Sequence, residues 1–218
     1  MKILDIPQSG SVAGVTSSRN RFGQYRRSRA IPVNPNTGPQ GTVRARLGNN
    51  AAGWRTITAA QRAGWIDLAN AFTRTNSLGE TYSMTGFQCY CLINNNNQAA
   101  GNAVVADCPA LVTPGTLLTA VVTLTAAAFS VAYTTTPLAA GVRLFSYVSL
   151  QRSAGRNFEG DFRLLAVSAA AAASPAVLTT AYTTRFGVPI VGNRIFMAFR
   201  LYQTGWLGAP LTMSQVVA

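Results

Sequence analysis

The C-terminal half of the chain alternates large apolar residues with other residues at a period of two. The clearest run lies between Arg194 and Tyr202, and residues 142–150 show the same pattern. Successive side chains of a strand point to opposite faces, so such runs predict strands with one face in a core. Segments rich in Gly and Pro separate five to seven runs after Leu111, which predicts an antiparallel β-sandwich. The alanine run from 169 to 173 is equally compatible with two alternatives, a helix or a strand followed by a loop.

The segment between Asp107 and Arg143 contains no charged residue. Its length would permit a membrane-spanning helix. However, it contains Pro109, Pro114 and Pro137 together with many threonines, and its apolar residues alternate. This composition predicts strands, and no membrane partner is expected.

A first helix is predicted to begin after Thr37, which can serve as its N-cap. Pro39 then falls in the first turn, where proline is favoured. Val43, Leu47 and Trp54 are expected to supply its apolar side.

Two further helices follow. Thr58 and Gln61 have the spacing of a capping box, which predicts a helix that ends near Thr73. A short third helix is predicted over residues 86–94. The asparagine run 94–97 that follows it is interpreted as a polar linker. The tryptophans of this region are interpreted as core residues rather than as base-stacking platforms.

The segment from Gly10 to Asn36 is predicted to be an extended arm, since Pro32 and Pro35 oppose helix formation. Its bases are all arginines: Arg19, Arg21, Arg26, Arg27 and Arg29. Phe22 and Tyr25 lie between them. Nine arginines and no acid occur from Thr16 to Arg62, so this stretch carries +9 of the net charge of +12.

These patterns predict an α+β fold with three parts. Residues 1–36 form the arginine-rich arm, residues 37–100 a small helical module, and residues 101–218 the β-sandwich. The N-terminus lacks the pattern of a secretory signal.

The chain is poor in charge and almost free of lysine. Only 11% of its residues are charged, against about a quarter in typical soluble proteins. Lys2 is the single lysine. Guanidinium groups suit contacts with carboxylates, phosphates and aromatic faces. A surface of this kind favours an oligomer or a lattice in which neighbours cover much of each subunit.

The residues most often used in catalysis are scarce. There is no histidine, and the six acidic residues are scattered. Only Glu159 and Asp161 lie close together, in a Gly-containing stretch that predicts a solvated hairpin turn rather than a catalytic carboxylate pair. We therefore expect neither an enzyme nor a cofactor.

The three cysteines do not form a recognisable metal or redox motif. Cys89 and Cys91 have C-x-C spacing, and no histidine can complete a zinc site. They are interpreted as small buried side chains. A disulfide between Cys91 and Cys108 is an alternative in an oxidising compartment.

Several strings in residues 14–90 resemble a family of uncharacterised bacterial proteins associated with phages or prophages. The strings are RNRFGQYRRSR from Arg19, PVNPNT from Pro32, VRAR from Val43 and TAAQRAGW from Thr58. This resemblance implies no known activity. In strand rhythm alone, the C-terminal half resembles fibronectin type III and immunoglobulin-like sandwiches. Modules of that kind serve in adhesion or as decoration domains.

The arm supplies most of the candidate partner-binding residues. The complete set is Arg19, Arg21, Phe22, Tyr25, Arg26, Arg27, Arg29, Arg44 and Arg46. Three interpretations remain open: contacts with a neighbouring protein subunit, contacts with a phosphate backbone, and a solvated charged loop.

We expect a structural protein of a virion or virus-like particle, either capsid-associated, a decoration protein or tail-associated, assembled in the bacterial cytoplasm. Its partners would be copies of itself or other capsid or tail proteins. The alternatives are a nucleic-acid-binding protein that uses the basic arm, and a surface or filament-forming sandwich protein.

Overall fold

The computed structural model describes residues 8–20, 23–75, 78–117, 119–134 and 136–218. They form two compact units, Met1–Thr42 and Val43–Ala218. The predicted α+β class is confirmed, since helices and several antiparallel sheets are both present.

The N-terminal unit contains a three-stranded antiparallel sheet formed by β1 (Gly10–Val12), β2 (Val15–Asn20) and β3 (Gly23–Ser28). The sequence predicted an extended arm here, and these residues pair into a sheet. Their pairing with one another was not predicted, because polar strands such as β2 and β3 lack an apolar alternation. Helix α1 (Gly38–Thr56) begins within the range of this unit and ends in that of the next.

The C-terminal unit contains two further long helices and a small hairpin. Helix α2 spans Ala59–Ala71, strands β4 (Thr73–Thr75) and β5 (Thr81–Ser83) pair with each other, and helix α3 spans Gly86–Ala99. The predicted capping box of α2 is confirmed. The Gln61 N–H donates to Thr58 Oγ1 at 3.2 Å, and the Thr58 N–H donates to Gln61 Oε1 at 2.8 Å.

The prediction that residues 94–97 form a linker is wrong, because α3 continues through them to Ala99. Asn94 and Asn97 are buried. The Asn94 amide donates to the Val105 carbonyl at 3.1 Å and accepts from the Val105 N–H at 2.8 Å. These tertiary hydrogen bonds compensate for the poor helix propensity of asparagine.

The expected apolar side of α1 is only partly correct. Trp54 packs against Tyr90, with ring centroids 5.4 Å apart. In contrast, Val43 is 59% exposed and Leu47 is 50% exposed, so neither contributes to a core. The only buried residue of α1 is Asn50, near its C-terminal end. The first half of this helix therefore has exposed apolar side chains.

The remaining elements form a two-sheet sandwich with one short helix. They are β6 (Thr119–Leu124), β7 (Phe129–Thr134), β8 (Arg143–Val148), β9 (Arg163–Val167), β10 (Ala176–Val177), α4 (Thr179–Phe186), β11 (Arg194–Gln203), β12 (Trp206–Leu207) and β13 (Leu211–Val216). One sheet has the order β10-β7-β6, and the other has β9-β8-β11, with β12 and β13 both pairing with β11. The alanine run lies in a loop between β9 and β10.

The period-two alternation assigns the two faces of β11 correctly. Ile195, Met197 and Phe199 are fully buried in the core that both sheets share. Tyr202 lies on the opposite face, where it packs with Phe145 and Ala100. Strand β11 thus contributes side chains to the sandwich core from one face and to the contact with the helices from the other.

The helices and the sandwich belong to one compact unit. The indole of Trp206 packs within the helical core, with its ring centroid 4.8 Å from that of Phe72. Its N–H donates to the Ala110 carbonyl at 3.1 Å. The two parts, distinguished in the sequence by their periodicity, therefore share a packed interface.

Candidate functional site

The arginines of the N-terminal sheet lie on both of its faces. In the β2–β3 ladder, Ser17 is opposite Arg26 and Thr16 is opposite Arg27. Residues that are directly opposite each other share a face, and successive residues alternate. Arg19 and Arg26 therefore lie on one face, whereas Tyr25 and Arg27 lie on the other.

The described residues of the N-terminal sheet form no core of their own. None of the residues from 8 to 36 whose burial the structure describes is buried, and Val12 is 81% exposed. A sheet of three strands needs a hydrophobic face packed against something to be stable by itself. The sheet is therefore expected to become stable only when another surface covers it.

Arginines of the N-terminal unit take part in hydrogen bonds outside the strand ladder. Arg26 Nη2 donates to Gln8 Oε1 at 2.9 Å, and the Arg29 N–H donates to the Gly14 carbonyl at 2.8 Å. The guanidinium groups of Arg19, Arg27 and Arg29 are exposed, and none has a hydrogen bond to another described residue. A cavity of about 370 Å3 lies on the Arg26 face, lined by Gln8, Val12, Val15, Ser17 and Arg26.

The nine predicted partner-binding residues are not all brought together. Arg21 and Phe22 lie outside the described residues. Arg44 is exposed on α1 and Arg46 is half-buried there, and both belong to the C-terminal unit. The predicted residues that the structure places together are Arg19, Tyr25, Arg26, Arg27 and Arg29.

Sequence reasoning missed an exposed apolar loop at residues 187–192. Val188, Ile190 and Val191 are 63%, 59% and 64% exposed, whereas Pro189 between them is buried. The Ile190 N–H donates to Gln151 Oε1 at 2.9 Å, which holds the loop in place. The segment was predicted only as a break between strands. Its signal is a run of aliphatic residues between two glycines, where turns usually have polar residues.

Glu159 and Asp161, the closely spaced acidic residues, make hydrogen bonds and ion pairs that stabilise the loop before β9. The Gly160 and Asp161 N–H groups donate to Glu159 Oε1 at 3.0 and 3.1 Å, and Arg152 Nε donates to Oε2 at 2.5 Å. These bonds, the one from Asp161 first, hold the pKa of Glu159 below its usual value. The predicted solvated turn is therefore wrong for Glu159, which is buried. Asp161 is paired separately with Arg163 at 3.1 Å.

The three cysteines are free thiols, so the alternative of a Cys91–Cys108 disulfide is not observed. Cys89 and Cys91 are buried, which confirms their interpretation as small core side chains. Burial, followed by the nearby Cys108, raises the pKa of Cys89 to about 11. Its thiolate, the reactive form, is therefore scarce near neutral pH.

Residues 8–20, 23–75, 78–117, 119–134 and 136–218 contain no group of three or more His, Cys, Asp or Glu side chains that could hold a metal ion. In the same ranges, no helix has both the length and the apolar character needed to cross a membrane.

Comparison with known proteins gave no match to a family model, to a curated protein or to a solved structure. The resemblance of residues 14–90 to phage-associated proteins therefore stays a prediction.

Proposed function

We propose that this chain is a structural protein of a virion or virus-like particle, either capsid-associated, a decoration protein or tail-associated. In this proposal its N-terminal sheet docks on another molecule of the assembly. The observation that carries the proposal is that no described residue of this sheet is buried.

The energetics of the sheet support a docking role. Ordering the backbone of one residue costs about 1–2 kcal/mol, and burial of apolar surface is the main compensation for that cost. Among the described residues from 10 to 28, the only aliphatic side chains larger than alanine are those of Val12 and Val15. Both valines are exposed. Contact with a neighbouring molecule would supply the missing burial.

The exposed apolar side chains of the 187–192 loop favour a second contact surface, on the C-terminal unit. Complete burial of a Val or Ile side chain stabilises a protein by about 1.5–3 kcal/mol. Three such side chains are exposed side by side on a loop that Pro189 and Gln151 hold in position. An interface that covers them would gain much of that energy without having to order the loop first.

The composition agrees with this role more closely than with catalysis. The chain has no histidine, and Glu159 and Asp161 are both paired with arginines. We place the protein in a virion assembled in the bacterial cytoplasm, with copies of itself or other capsid or tail proteins as partners.

The first experiment is analytical ultracentrifugation of the full chain, with electron microscopy of the same sample. We expect concentration-dependent oligomers or particles. The variant Val188→Ser/Ile190→Ser should shift the distribution towards smaller species. The control Val177→Ser removes a valine of β10 that is still more exposed, at 72%, and should leave assembly unchanged.

Hydrogen exchange on the same samples tests the docking of the sheet. Amides of β2 and β3 should be protected in the assembled form and exchange quickly in the monomer. A monomer at every concentration, with these amides already protected, would contradict the proposal.

A further inference from the structure

We infer that a hollow on the larger sheet, on the face turned away from the sandwich core, binds a carboxylate that carries a small apolar body. The hollow has a volume of about 330 Å3 and is lined by Tyr147, Phe162, Ala198, Arg200, Pro210 and Thr212. None of these residues belongs to the N-terminal sheet or to the 187–192 loop, so the site is independent of the proposed assembly role.

The floor of the hollow follows from the register of three strands. Ala198 of β11 is directly opposite both Tyr147 of β8 and Thr212 of β13. Directly opposite residues share a face, so these three side chains form one row across the sheet. The neighbours of Ala198 on the same face of β11 are Phe196 and Arg200, and both are much larger. The small side chain of Ala198 therefore leaves a depression between them.

Arg200 supplies the charge of the hollow. Its Nε donates to the Gly208 carbonyl at 2.8 Å, which fixes the plane of the guanidinium group. Among the residues that the structure describes, none accepts a hydrogen bond from its two Nη groups, and no carboxylate pairs with it. Arg200 is half-buried, so the group is still accessible. Two adjacent Nη groups match the two oxygens of one carboxylate.

Two hydroxyl groups of the same row add further donors. Neither Tyr147 nor Thr212 has a side-chain hydrogen bond to another described residue. Burial raises the pKa of Tyr147, and the nearby charge of Arg200 lowers it to a smaller extent. The phenol is therefore protonated at neutral pH and can donate a hydrogen bond. A carboxylate only accepts hydrogen bonds, so a set of donors suits it.

The rest of the hollow is apolar. Phe162 and Pro210 line its walls, and Ala198 forms its floor. Small-molecule sites are mostly apolar with a few placed polar groups, and their volumes begin at about 300 Å3. A strongly hydrated dianion such as phosphate would lose water against these side chains, with a single guanidinium group to compensate. A monocarboxylate with an apolar body satisfies both parts of the hollow.

Two sources share this chemistry, a free organic acid and the C-terminal residue of a partner protein. 3-Phenylpropanoate represents the first, and the peptide Gly-Gly-Gly-Phe with a free carboxyl terminus represents the second. The test is isothermal titration calorimetry of the full chain with each probe. Tighter binding of the peptide would assign the site to a protein terminus, and tighter binding of the small acid would assign it to a free organic acid.

The matched ligands are 3-phenylpropanamide and the amidated peptide, which keep the shape of the probes and lack their charge. At least one carboxylate should bind, and its amide should bind more weakly by on the order of tenfold or more.

Variants of the chain test the two parts of the hollow separately. Arg200→Gln should weaken binding by on the order of tenfold or more, because it removes the charged pair of donors. Arg200→Lys keeps the charge without the planar fork and should have an intermediate affinity. Ala198→Val should weaken binding by filling the floor. The matched control is Arg55→Gln, which removes the same charge from an exposed arginine of α1 outside the hollow and should leave binding unchanged.

Circular dichroism checks that each variant keeps its fold, and a measurement on the unaltered chain locates the probe without any variant. The NMR signal of the Ala198 methyl group should shift when the carboxylate is added. The methyl signal of Ala132, an exposed residue on β7 of the other sheet, should stay in place.

Four results would overturn the inference. They are no binding of either carboxylate, equal binding of the acids and their amides, equal losses in Arg55→Gln and Arg200→Gln, and an Ala198 methyl signal that does not shift. Assembly is measured separately, so any of these results would leave the proposed function in place.

Discussion

The hydroxyl of Tyr202 donates a 2.6 Å hydrogen bond to Asn97 Oδ1, which joins strand β11 to helix α3 across 105 residues of sequence. The same hydroxyl accepts a hydrogen bond from Asn102 Nδ2 at 2.9 Å. Both Tyr202 and Asn97 are buried. This pair therefore connects the helical layer to the centre of the larger sheet.

Tyr202→Phe should destabilise the protein by about 1–3 kcal/mol, since it leaves a buried acceptor and a donor without their partner. The measurement is the free energy of unfolding in urea. Tyr147→Phe is the control, because that hydroxyl has no hydrogen bond to another described residue and its removal should have little effect. Equal losses in the two variants would contradict this role for the Tyr202 hydroxyl.

Gly205→Ala should destabilise the protein by about 1–3 kcal/mol or more, as overpacking commonly does. Gly205 has φ +88°, and an added Cβ would lie 2.5 Å from Ile93 Cγ2 on α3. Gly155→Ala is the control, since a Cβ there meets no atom within 4 Å and the backbone is not left-handed. Thermal unfolding of the two variants measures the difference.

Thr58→Ala should cost about 1 kcal/mol, because it removes the N-cap of α2. The Gln61 N–H would lose its acceptor, which is the first half of the capping box. Thr58→Ser keeps the hydroxyl and should retain most of the stability. Chemical denaturation of both variants distinguishes loss of the cap from loss of the methyl group.

Stability should decrease in acid through Glu159. Its pKa is lowered in the folded state, chiefly by the hydrogen bond from the Asp161 N–H and then by Arg152. A depressed pKa gives stability that is present above the usual value of 4.5 and is lost as the pH falls through the folded value. Glu159→Gln should flatten the dependence of the unfolding free energy on pH over this range. A wild-type curve with the same slope as the variant would exclude the effect.

The three thiols should react in a defined order with an alkylating reagent at neutral pH. Burial raises the pKa of both Cys89 and Cys91, and Cys108 is only half-buried. Mass spectrometry should therefore detect modification at Cys108 first. All three should react at similar rates in denaturant. Early modification of Cys89 in the native protein would show that its environment is more open than described.

The parts of the fold that depend on local pattern could be predicted from the sequence. The alternation in β8 and β11 separated the residues of the two strand faces correctly, because successive side chains of a strand point to opposite faces. It did not indicate that both faces of β11 are buried, since Phe196, Ala198 and Tyr202 are buried on the side away from the sandwich core. The T-x-x-Q spacing fixed the start of α2, because the cap is formed by residues only three apart.

The parts that depend on distant contacts could not be predicted. Asn94 and Asn97 remain helical because Val105 and Tyr202 satisfy their side chains, and nothing near them in sequence signals this. The exposure of Val43 and Leu47 depends on where α1 leaves the core, which periodicity does not report.

The candidate site was predicted in composition but not in geometry. The sequence singled out the arginines of the arm by their density. Their division between two faces follows from the register of Ser17 with Arg26, which polar strands do not reveal. The exposure of Val188, Ile190 and Val191 could not be predicted, because it depends on how Gln151 and the buried Pro189 hold the loop.

Strand β11 has the sandwich core on one side and Tyr202, with its partners from α3, on the other. We expect the two layers to unfold together, because both pack on the same ten-residue strand. On heating of the protein, residues 43–218 should therefore unfold in a single sharp transition. The far-ultraviolet circular dichroism of the helices and the near-ultraviolet signal of the aromatic residues should disappear at one temperature.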